Sequence, residues 1–307
     1  MSHYVIKVNS DAVDDRCAIV KSMENAKCKM SNEEGLFLNK QLPYVMHIDL
    51  NSCFAIIEQQ ANRLLRGKPV GVSAYDSSRG FLLAASYQAK AKGVKLGVNN
   101  EQARILCPDI TIVTPDPAKY REAHKRFKEV LLEYSPDVVA KSIDEFVVDF
   151  SKSELLRRRV SEVRGTSVAA RLLDDSQTCK LHNKTMLQIG REIKQKIRER
   201  LGEYVTVNIG IATNRFLAKY AAGFDKPDGM TLIDHENLQS KYEHMHLMDL
   251  PGINVRYRAR LRAAGIYTPL DFLNAERSLL QKQVFKSIAG YHWYRRLRGY
   301  EADAVEF

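Results

Sequence analysis

Residues 138–150 read VVAKSIDEFVVDF, and this stretch decides the fold. Two arms rich in β-branched and aromatic residues flank an acidic centre, Asp144 and Glu145. Adjacent side chains on a regular strand point to opposite faces, so the two carboxylates can share a site only where the chain turns or bulges. The stretch therefore predicts a tight hairpin with an acidic site at its turn.

A second acidic strand end lies upstream. Residues 44–50 read YVMHIDL, a short apolar strand in which Asp49 is the next-to-last residue. The following residues place apolar side chains at helical spacing, so the pattern predicts a strand that turns into a helix directly after Asp49. These apolar positions are Phe54, Ile57, Ala61, Leu64 and Leu65.

The three acids Asp49, Asp144 and Glu145 are candidates for one metal site. Nucleotidyl transfer uses two divalent cations, one to activate the attacking hydroxyl and one to hold the triphosphate and stabilise the leaving pyrophosphate. Carboxylates at strand ends suit that chemistry because oxygen ligands fit Mg²⁺ and rigid strands fix their spacing. Taken singly, each acid is more simply explained as a surface charge at a strand end.

From residue 69 to residue 222, strand-like and helix-like segments alternate, apart from the charged stretch 152–184. Strands are predicted at 69–75, 110–115 and 205–213, the last with one buried face, and helices at about 118–134 and 189–201. A further helix-compatible run starts at Ala84, with Gly93 and Gly97 as stops. Asn214 is a predicted N-cap for the segment RFLAKYAAG.

The C-terminal part carries a basic helical signature. Residues 250–266 read LPGINVRYRARLRAAGI, in which Pro251-Gly252 would form a tight turn between two helices and let backbone N–H groups approach a phosphate. From Arg256 to Arg298 there are ten Lys or Arg against two acids. The pattern predicts a helix–hairpin–helix that grips a nucleic-acid backbone without reading sequence. A hairpin used only for packing, with a solvated basic surface, is the alternative.

A third candidate is DKPDG, residues 225–229. Its lysine, Lys226, is fixed before a proline turn and could contact a triphosphate. Alone the motif is weak, since most such lysines belong to simple surface turns.

In this order, the segments resemble the Y-family (DinB/UmuC-like, DNA polymerase IV-like) translesion DNA polymerases from about Tyr44 to Tyr300. The resemblance is carried by five strings: HIDLNSCFAIIEQ (47–59), SYQAKAKGV (86–94), YSPDVVAKSIDEFVVDF (134–150), NIGIATNRFLAKYAAGFDKPDG (208–229) and LPGI…AAGI (250–266). Because several matches occur in the same order over most of the chain, motifs that are weak evidence alone become strong evidence together.

The resemblance implies a role for each matching position. Asp49, Asp144 and Glu145 would hold two Mg²⁺ ions, for which Mn²⁺ can substitute, and the Leu50 carbonyl would complete one metal shell. Phe54 would be the steric gate that clashes with a ribose 2′-hydroxyl. The expected nucleotide-binding residues are Ser52, Cys53 and Phe54 through their backbone, with Tyr87, Lys90 and Lys226. The expected DNA contacts are Pro251, Gly252, Ile253, Arg256, Arg258 and Arg260.

The implied fold is α+β and shaped like a right hand. The mixed-sheet palm would span residues 44–60 and 118–233, the small fingers 61–117, and the helical thumb 234–300. Residues 1–43 would be an extension of unknown role, and 301–307 the start of a linker to an absent little-finger domain. Small fingers imply an open site, hence template-directed synthesis that tolerates damaged templates at low fidelity.

Several positions depart from the family pattern. Lys90 replaces the usual arginine, Ala84 stands where a threonine is common, and Asn254 replaces a glycine and is expected in a left-handed conformation. Residues 152–184 are longer than the usual palm connection. A sliding clamp would bind through the missing C-terminal region, while QKQVF (281–285) resembles a clamp-binding peptide only vaguely and favours an internal helix.

Composition excludes some classes of protein. No apolar run reaches the roughly 20 residues of a membrane span, and no secretion signal is evident at the N-terminus. Five scattered cysteines favour a reducing compartment, either bacterial cytoplasm at the nucleoid or a eukaryotic nucleus. We expect a monomer that binds primer–template DNA and dNTPs. Two alternatives are a binding-only relative, which would not need three acids, and a nucleotide cyclase, which would not need the basic hairpin.

Overall fold

The computed structural model describes residues 37–164 and 175–303. The described chain divides into two compact units. The larger unit comprises residues 42–233, and the smaller unit combines 234–303 with 37–41. Three segments discussed above lie largely or partly outside the described residues. They are the predicted N-terminal extension (1–43), the predicted linker (301–307) and the middle of the connection 152–184.

A five-stranded sheet forms the centre of the larger unit. Its strands are β1 (Val45–Leu50), β5 (Asp137–Ala140), β6 (Glu145–Asp149), β7 (Val207–Ala212) and β8 (Met230–Leu232). Their order is β5-β6-β1-β7-β8, with β1 antiparallel to both β6 and β7, and β7 parallel to β8. The hairpin predicted at 138–150 is confirmed as β5 and β6.

Each face of this sheet is covered by helices. Alternate residues of β1, Met46 and Ile48 among them, pack in one apolar cluster with residues of α4 (Pro117–Leu132) and α6 (Asp175–Leu201). On the other face α7 (Arg215–Ala221) lies so close that a Cβ on Gly210 would be 2.0 Å from the Ala218 carbonyl oxygen. Because both faces are covered, β7 is buried along its whole length, which corrects the expectation of one exposed face.

A second sheet completes the larger unit. Its strands are β2 (Val70–Ser73), β3 (Leu82–Ala85) and β4 (Thr111–Val113), in the order β3-β2-β4. Its helices are α2 (Tyr87–Ala91) and α3 (Asn100–Leu106). The helix expected from Ala84 is wrong at its start, because Ala84 pairs with Val72 in the sheet and Ser86 caps α2 by accepting a hydrogen bond from Ala89 N.

Two further helical expectations change in detail. After β1 comes α1 (Cys53–Ala61), which ends earlier than the apolar pattern indicates. Asn62 is extended and its side chain accepts a hydrogen bond from Leu64 N, so a short 3₁₀ turn, Arg63–Leu65, follows. The charged segment after β6 contains α5 (Glu154–Arg164).

The smaller unit is helical within the residues described. Its helices are α8 (Leu238–Glu243), α9 (Val255–Ala263), α10 (Pro269–Asn274), α11 (Arg277–Leu279) and α12 (Ala289–Leu297). Phe272, Phe285 and Trp293 pack together, with ring centroids 5.5–6.1 Å apart. The QKQVF segment continues α11 as a π-helix, Leu280–Val284, and Val284 and Phe285 are buried, as an internal helix requires.

Candidate active site

The three predicted acids meet at one end of β1. Asp49 pairs directly with Glu145 across the β1–β6 ladder, and Leu50 N donates to the Asp144 carbonyl oxygen at 2.9 Å. Cross-strand partners share a face, so Asp49 and Glu145 project from the same side of the sheet. Ser142 Oγ accepts from Glu145 N at 3.1 Å, which stabilises the turn before β6.

Two lysines neutralise part of this acidic group. Lys219 Nζ lies 2.8 and 3.1 Å from the two Glu145 carboxylate oxygens, and Lys226 Nζ binds Asp49. Burial raises the pKa of Asp49 above its usual value against the opposing charge of Lys226, and the Glu145 and Asp144 charges raise it further. The side chains therefore form a compact cluster of alternating charge.

Among the described residues, no group of three or more His, Cys, Asp or Glu side chains is arranged so that it could hold a metal ion. Lys219 and Lys226 are paired with the carboxylates of Glu145 and Asp49. The donor set still fits a hard divalent cation, since carboxylate oxygens are the ligands that Mg²⁺ prefers.

A buried histidine lies beneath the acids. His47 is two residues before Asp49 on the same face of β1, and its Nε2 is 3.9 Å from Glu145 Oε2. Burial, with help from Lys219 and Lys226, lowers the pKa of His47 to about 3, so the imidazole is neutral at physiological pH. This residue lies inside the quoted motif, but nothing in the sequence alone marks it as a neighbour of Glu145.

The turn from β1 to α1 is the next component. Ser52 has a left-handed backbone, with φ of 49°, and directs the chain into α1, whose first residues are Cys53 and Phe54. Free backbone N–H groups and the helix dipole make such a helix start favourable for phosphate. Ser52 Oγ accepts a hydrogen bond from Lys90 Nζ at 2.7 Å, which brings a cation to the same place.

A cleft of about 210 Å³ joins these parts. Of the predicted metal and nucleotide residues, it is lined by Asp49, Leu50, Ser52, Cys53, Phe54, Tyr87, Lys90, Asp144 and Lys226. Glu145 is not part of this lining but pairs with Asp49 beside it. Ala84 also lines the cleft, so its missing hydroxyl faces the same space.

Phe54 is held from behind by an aromatic stack that the sequence did not indicate. Its ring stacks on Tyr120, with centroids 4.3 Å apart and planes 19° apart. The Tyr120 hydroxyl donates to Glu58 Oε1 at 2.9 Å, and Lys119 Nζ contacts Glu58 Oε2 at 2.9 Å. Glu58 lies one helical turn after Phe54, which is the only local signal for this connection.

Tyr87 and Lys90 extend from α2 toward the cleft. The Lys90 ammonium lies 4.7 Å from the centre of the Tyr87 ring. Burial and the nearby charge of Lys226 lower the pKa of Lys90, while burial raises the pKa of Tyr87. Two positively charged side chains therefore share one small polar volume, which is a favourable environment for an anion.

The sequence profile of the impB/mucB/samB family matches residues 48–223, more than half of the chain. The chain belongs to the impB/mucB/samB family. The matched range contains Asp49, Asp144 and Glu145, and it ends before Lys226 and before the smaller unit.

The chain is also similar to curated proteins named DNA polymerase IV. The chain is 30% identical over 264 residues to the DNA polymerase IV of Xanthomonas euvesicatoria pv. vesicatoria, covering 85% of this chain and 64% of that protein. It is also 30% identical over 267 residues to the DNA polymerase IV of Staphylococcus aureus, covering 85% and 65%. The chain thus spans slightly less than two thirds of the length of these relatives.

Solved structures give the same result for the fold. A Y-family DNA polymerase chimera, Dbh-Dpo4(243-245)-Dbh, matches with a TM-score of 0.69 at 25% identity, covering 85% of this chain and 69% of that one. DinB from Sulfolobus solfataricus matches with a TM-score of 0.62 at 26% identity, covering 82% and 67%. This impB/mucB/samB family member therefore has the predicted α+β fold of Y-family polymerases.

In the smaller unit of this family member, the predicted turn at Pro251-Gly252 lies between a 3₁₀ turn, Leu247–Asp249, and α9. Gly252, with φ of 89°, makes the turn before α9, and Asn254 caps α9 by accepting from Tyr257 N at 3.0 Å. The expectation of a left-handed Asn254 is wrong, because its φ is −106° and Gly252 supplies the left-handed residue instead. Ile253 is buried, Pro251 and Arg258 are half-buried, and Arg256 and Arg260 are exposed.

No helix among residues 37–164 and 175–303 is long and apolar enough to cross a membrane.

Proposed function

We propose that this chain carries out template-directed DNA synthesis of the low-fidelity, lesion-bypass kind, transferring a nucleotidyl group from a dNTP to a primer 3′-hydroxyl with release of pyrophosphate. The observation that carries the proposal is a cleft where Asp49 and Asp144 adjoin a helix start, two lysines and Tyr87, with Glu145 paired to Asp49 beside it. The names of the relatives, DNA polymerase IV, support the same reaction.

Each group in the cleft has a proposed task. The backbone N–H groups of Ser52, Cys53 and Phe54 would bind triphosphate oxygens, because a helix start favours anions. Lys90 and Lys226 would neutralise phosphate charge, and the Tyr87 hydroxyl would donate to a phosphate oxygen. These contacts orient the α-phosphate for in-line attack, and positioning with electrostatics supplies most of the rate in such reactions.

Asp49, Asp144 and Glu145, with the Leu50 carbonyl, would hold two divalent cations, Mg²⁺ by preference and Mn²⁺ as a substitute. When bound, the cations supply activation of the 3′-hydroxyl and stabilisation of the leaving pyrophosphate. The protein's own contribution is to hold the carboxylates close together at the ends of β1 and β6, where Lys219 pairs with Glu145 and Lys226 pairs with Asp49.

Phe54 would act as the gate against ribonucleotides. Its stack on Tyr120, fixed through Glu58, supports this role because a ring that excludes a hydroxyl must not move aside. The gate would therefore depend on three side chains from two helices, α1 and α4.

The two units and the two sheets support the proposed domain roles. Residues 44–60 and 118–233 would be the palm, 61–117 the fingers and 234–300 a thumb that grips primer–template DNA through Pro251–Ile253 and the arginines of α9. We further propose that the protein is a monomer, that a sliding clamp is one of its partners, and that it works where the DNA of the cell lies.

Primer extension tests the proposal. The chain, with Mg²⁺ and four dNTPs on an undamaged template, should give short distributive products, and Asp144→Asn should give none while binding DNA normally. The matched control is Asp149→Asn, at the far end of the same strand β6. Extension by Asp144→Asn would remove the metal site from the proposal. DNA binding by the parent chain without any extension would favour a binding-only relative.

A further inference from the structure

Two buried asparagines lie beside the acidic cluster. Asn208 in β7 pairs directly with Asp49 on the side opposite Glu145, and Asn51 follows Asp49 by two residues. Their side chains are joined by a hydrogen bond from Asn51 Nδ2 to Asn208 Oδ1 at 3.0 Å. Both residues are almost completely buried, at 1% and 0% exposure. Buried amides at this depth require partners, so their other hydrogen bonds are informative.

Those partners are the two ends of one loop. We define the lysine loop as residues 225–228, which include Lys226. Asn208 Nδ2 donates to the Phe224 carbonyl oxygen at 2.7 Å, just before the loop, and Asn208 Oδ1 accepts from Gly229 N at 3.0 Å, just after it. Asn51 Oδ1 accepts from Asp228 N at 2.9 Å. The asparagine pair therefore clamps the loop at both ends.

The loop needs such a clamp. Asp225 and Asp228 have left-handed backbones, with φ of 52° and 61°. Non-glycine residues hold that conformation only when the surrounding structure enforces it, and they concentrate at functional sites. The result is that Lys226 projects to Asp49 from a loop whose shape depends on Asn51 and Asn208.

The pair also reaches the other side of the cleft. Asn51 Nδ2 lies 3.4 Å from the Tyr87 hydroxyl. An asparagine can accept from Asp228 N and donate to Asn208 and Tyr87 at once, whereas an aspartate can only accept. The amide is therefore required by the geometry, because three different elements meet at this side chain.

We propose that Asn51 and Asn208 are positioning residues. They fix the conformation of the lysine loop and thereby determine the affinity for the incoming nucleotide. This rests on the proposed function, in which Lys226 contacts the triphosphate. Lys194 and Arg198 of α6 also bind Asp228 at the C-terminal end of the loop. At its N-terminal end Thr231 Oγ1 donates to Asp225 Oδ2 at 3.4 Å. The asparagine pair joins both ends of the loop to β7 and to the residue directly after β1.

A double-mutant cycle tests the proposal. Asn208→Leu keeps the side-chain size and removes the clamp, and Lys226→Ala removes the group that the clamp would position. Each single variant should raise the KM for dNTP about tenfold, as expected for losing a buried or charge-assisted hydrogen bond. The double variant should be no worse than Lys226→Ala alone, because the asparagine acts through the lysine.

Further measurements separate positioning from general damage. Asn51→Asp retains the size of the side chain and its acceptor oxygen, and it should also raise the KM for dNTP. It replaces Asn208→Leu as the test if that variant does not fold. The control is Asn39→Leu, since Asn39 is a buried asparagine that donates to the Gly299 carbonyl in the smaller unit. That control should lower stability and leave the KM for dNTP unchanged.

The outcomes are distinct. The positioning role would be overturned if the KM increases of the two single variants multiplied in the double variant. It would also be overturned if Asn39→Leu raised the KM for dNTP equally. Either result would leave the polymerase proposal intact. Absence of any extension by the unmodified chain would overturn the proposed function, and the inference with it. Non-additive KM effects with unchanged DNA affinity would support both.

Discussion

Replacing Gly210 by alanine tests the close approach of α7 to the sheet. A Cβ at this position would lie 2.0 Å from the Ala218 carbonyl oxygen and 2.2 Å from Ala222 N. Both atoms belong to the backbone, so no side chain can rotate away. Ordinary contacts begin at 3.4 Å, and α7 would have to retreat by about 1.4 Å.

The cost follows from the packing that such a movement disrupts. Of the seven residues of α7, all but Lys219 are buried, so a shift opens a gap along the whole helix. Overpacking of a core costs about 1–3 kcal/mol, and a clash with rigid backbone belongs at the upper end. With a urea m-value of about 2 kcal/mol/M, a loss of about 3 kcal/mol lowers the unfolding midpoint by about 1.5 M.

Urea unfolding followed by far-ultraviolet circular dichroism measures this change. Fluorescence of the single tryptophan is unsuitable, because Trp293 lies in the smaller unit. The control is Gly223→Ala, where a Cβ would meet only the Tyr220 carbonyl oxygen at 3.1 Å on an exposed residue. If both variants had the same midpoint, the reasoning about the α7 contact would be refuted.

Three further predictions concern the cleft and the basic hairpin. Phe54→Ala should admit ribonucleotides, measured as extension with rNTPs relative to dNTPs, and unchanged discrimination would remove the gate assignment. Tyr120→Phe should lower the free energy of unfolding by about 1–2 kcal/mol, because buried Glu58 loses a donor at 2.9 Å; unchanged stability in urea would contradict this. Replacing Arg258 and Arg260 with alanine should weaken DNA binding on every sequence and reduce the slope of log K against log salt by about 2. A loss confined to some sequences would argue against a grip on the backbone.

Local patterns were sufficient for the parts of the site that are close in sequence. The acidic centre of 138–150 demanded a turn, since adjacent carboxylates on a strand cannot share a face, and the β5–β6 hairpin provides it. The change from strand to helix after Asp49 followed from a change of apolar period, and α1 begins at Cys53. Glycine accounts for one error of detail, because Gly252 takes the left-handed backbone expected at Asn254.

Contacts between distant segments were beyond the sequence. Tyr120 stacks on Phe54, and Lys219 contacts Glu145, only because α4 and α7 pack on opposite faces of one sheet. Nothing in the spacing of either pair predicts this. The complete burial of β7 was missed for the same reason, since a covering helix cannot be seen in the strand's own alternation.

The two sheets of the larger unit differ in the size of the side chains that hold them. The cluster around β1 contains Phe127, Phe146 and Phe150, whereas the cluster beside β2 and β3 has three alanines and no aromatic ring among its buried members. Apolar burial stabilises roughly in proportion to area, so the second cluster contributes less. Local opening free energies vary across a protein in this way, and amide protons of β2 and β3 should exchange with deuterium before those of β1 and β7. One wall of the cleft can therefore open in a partial unfolding event that leaves the three acids in place.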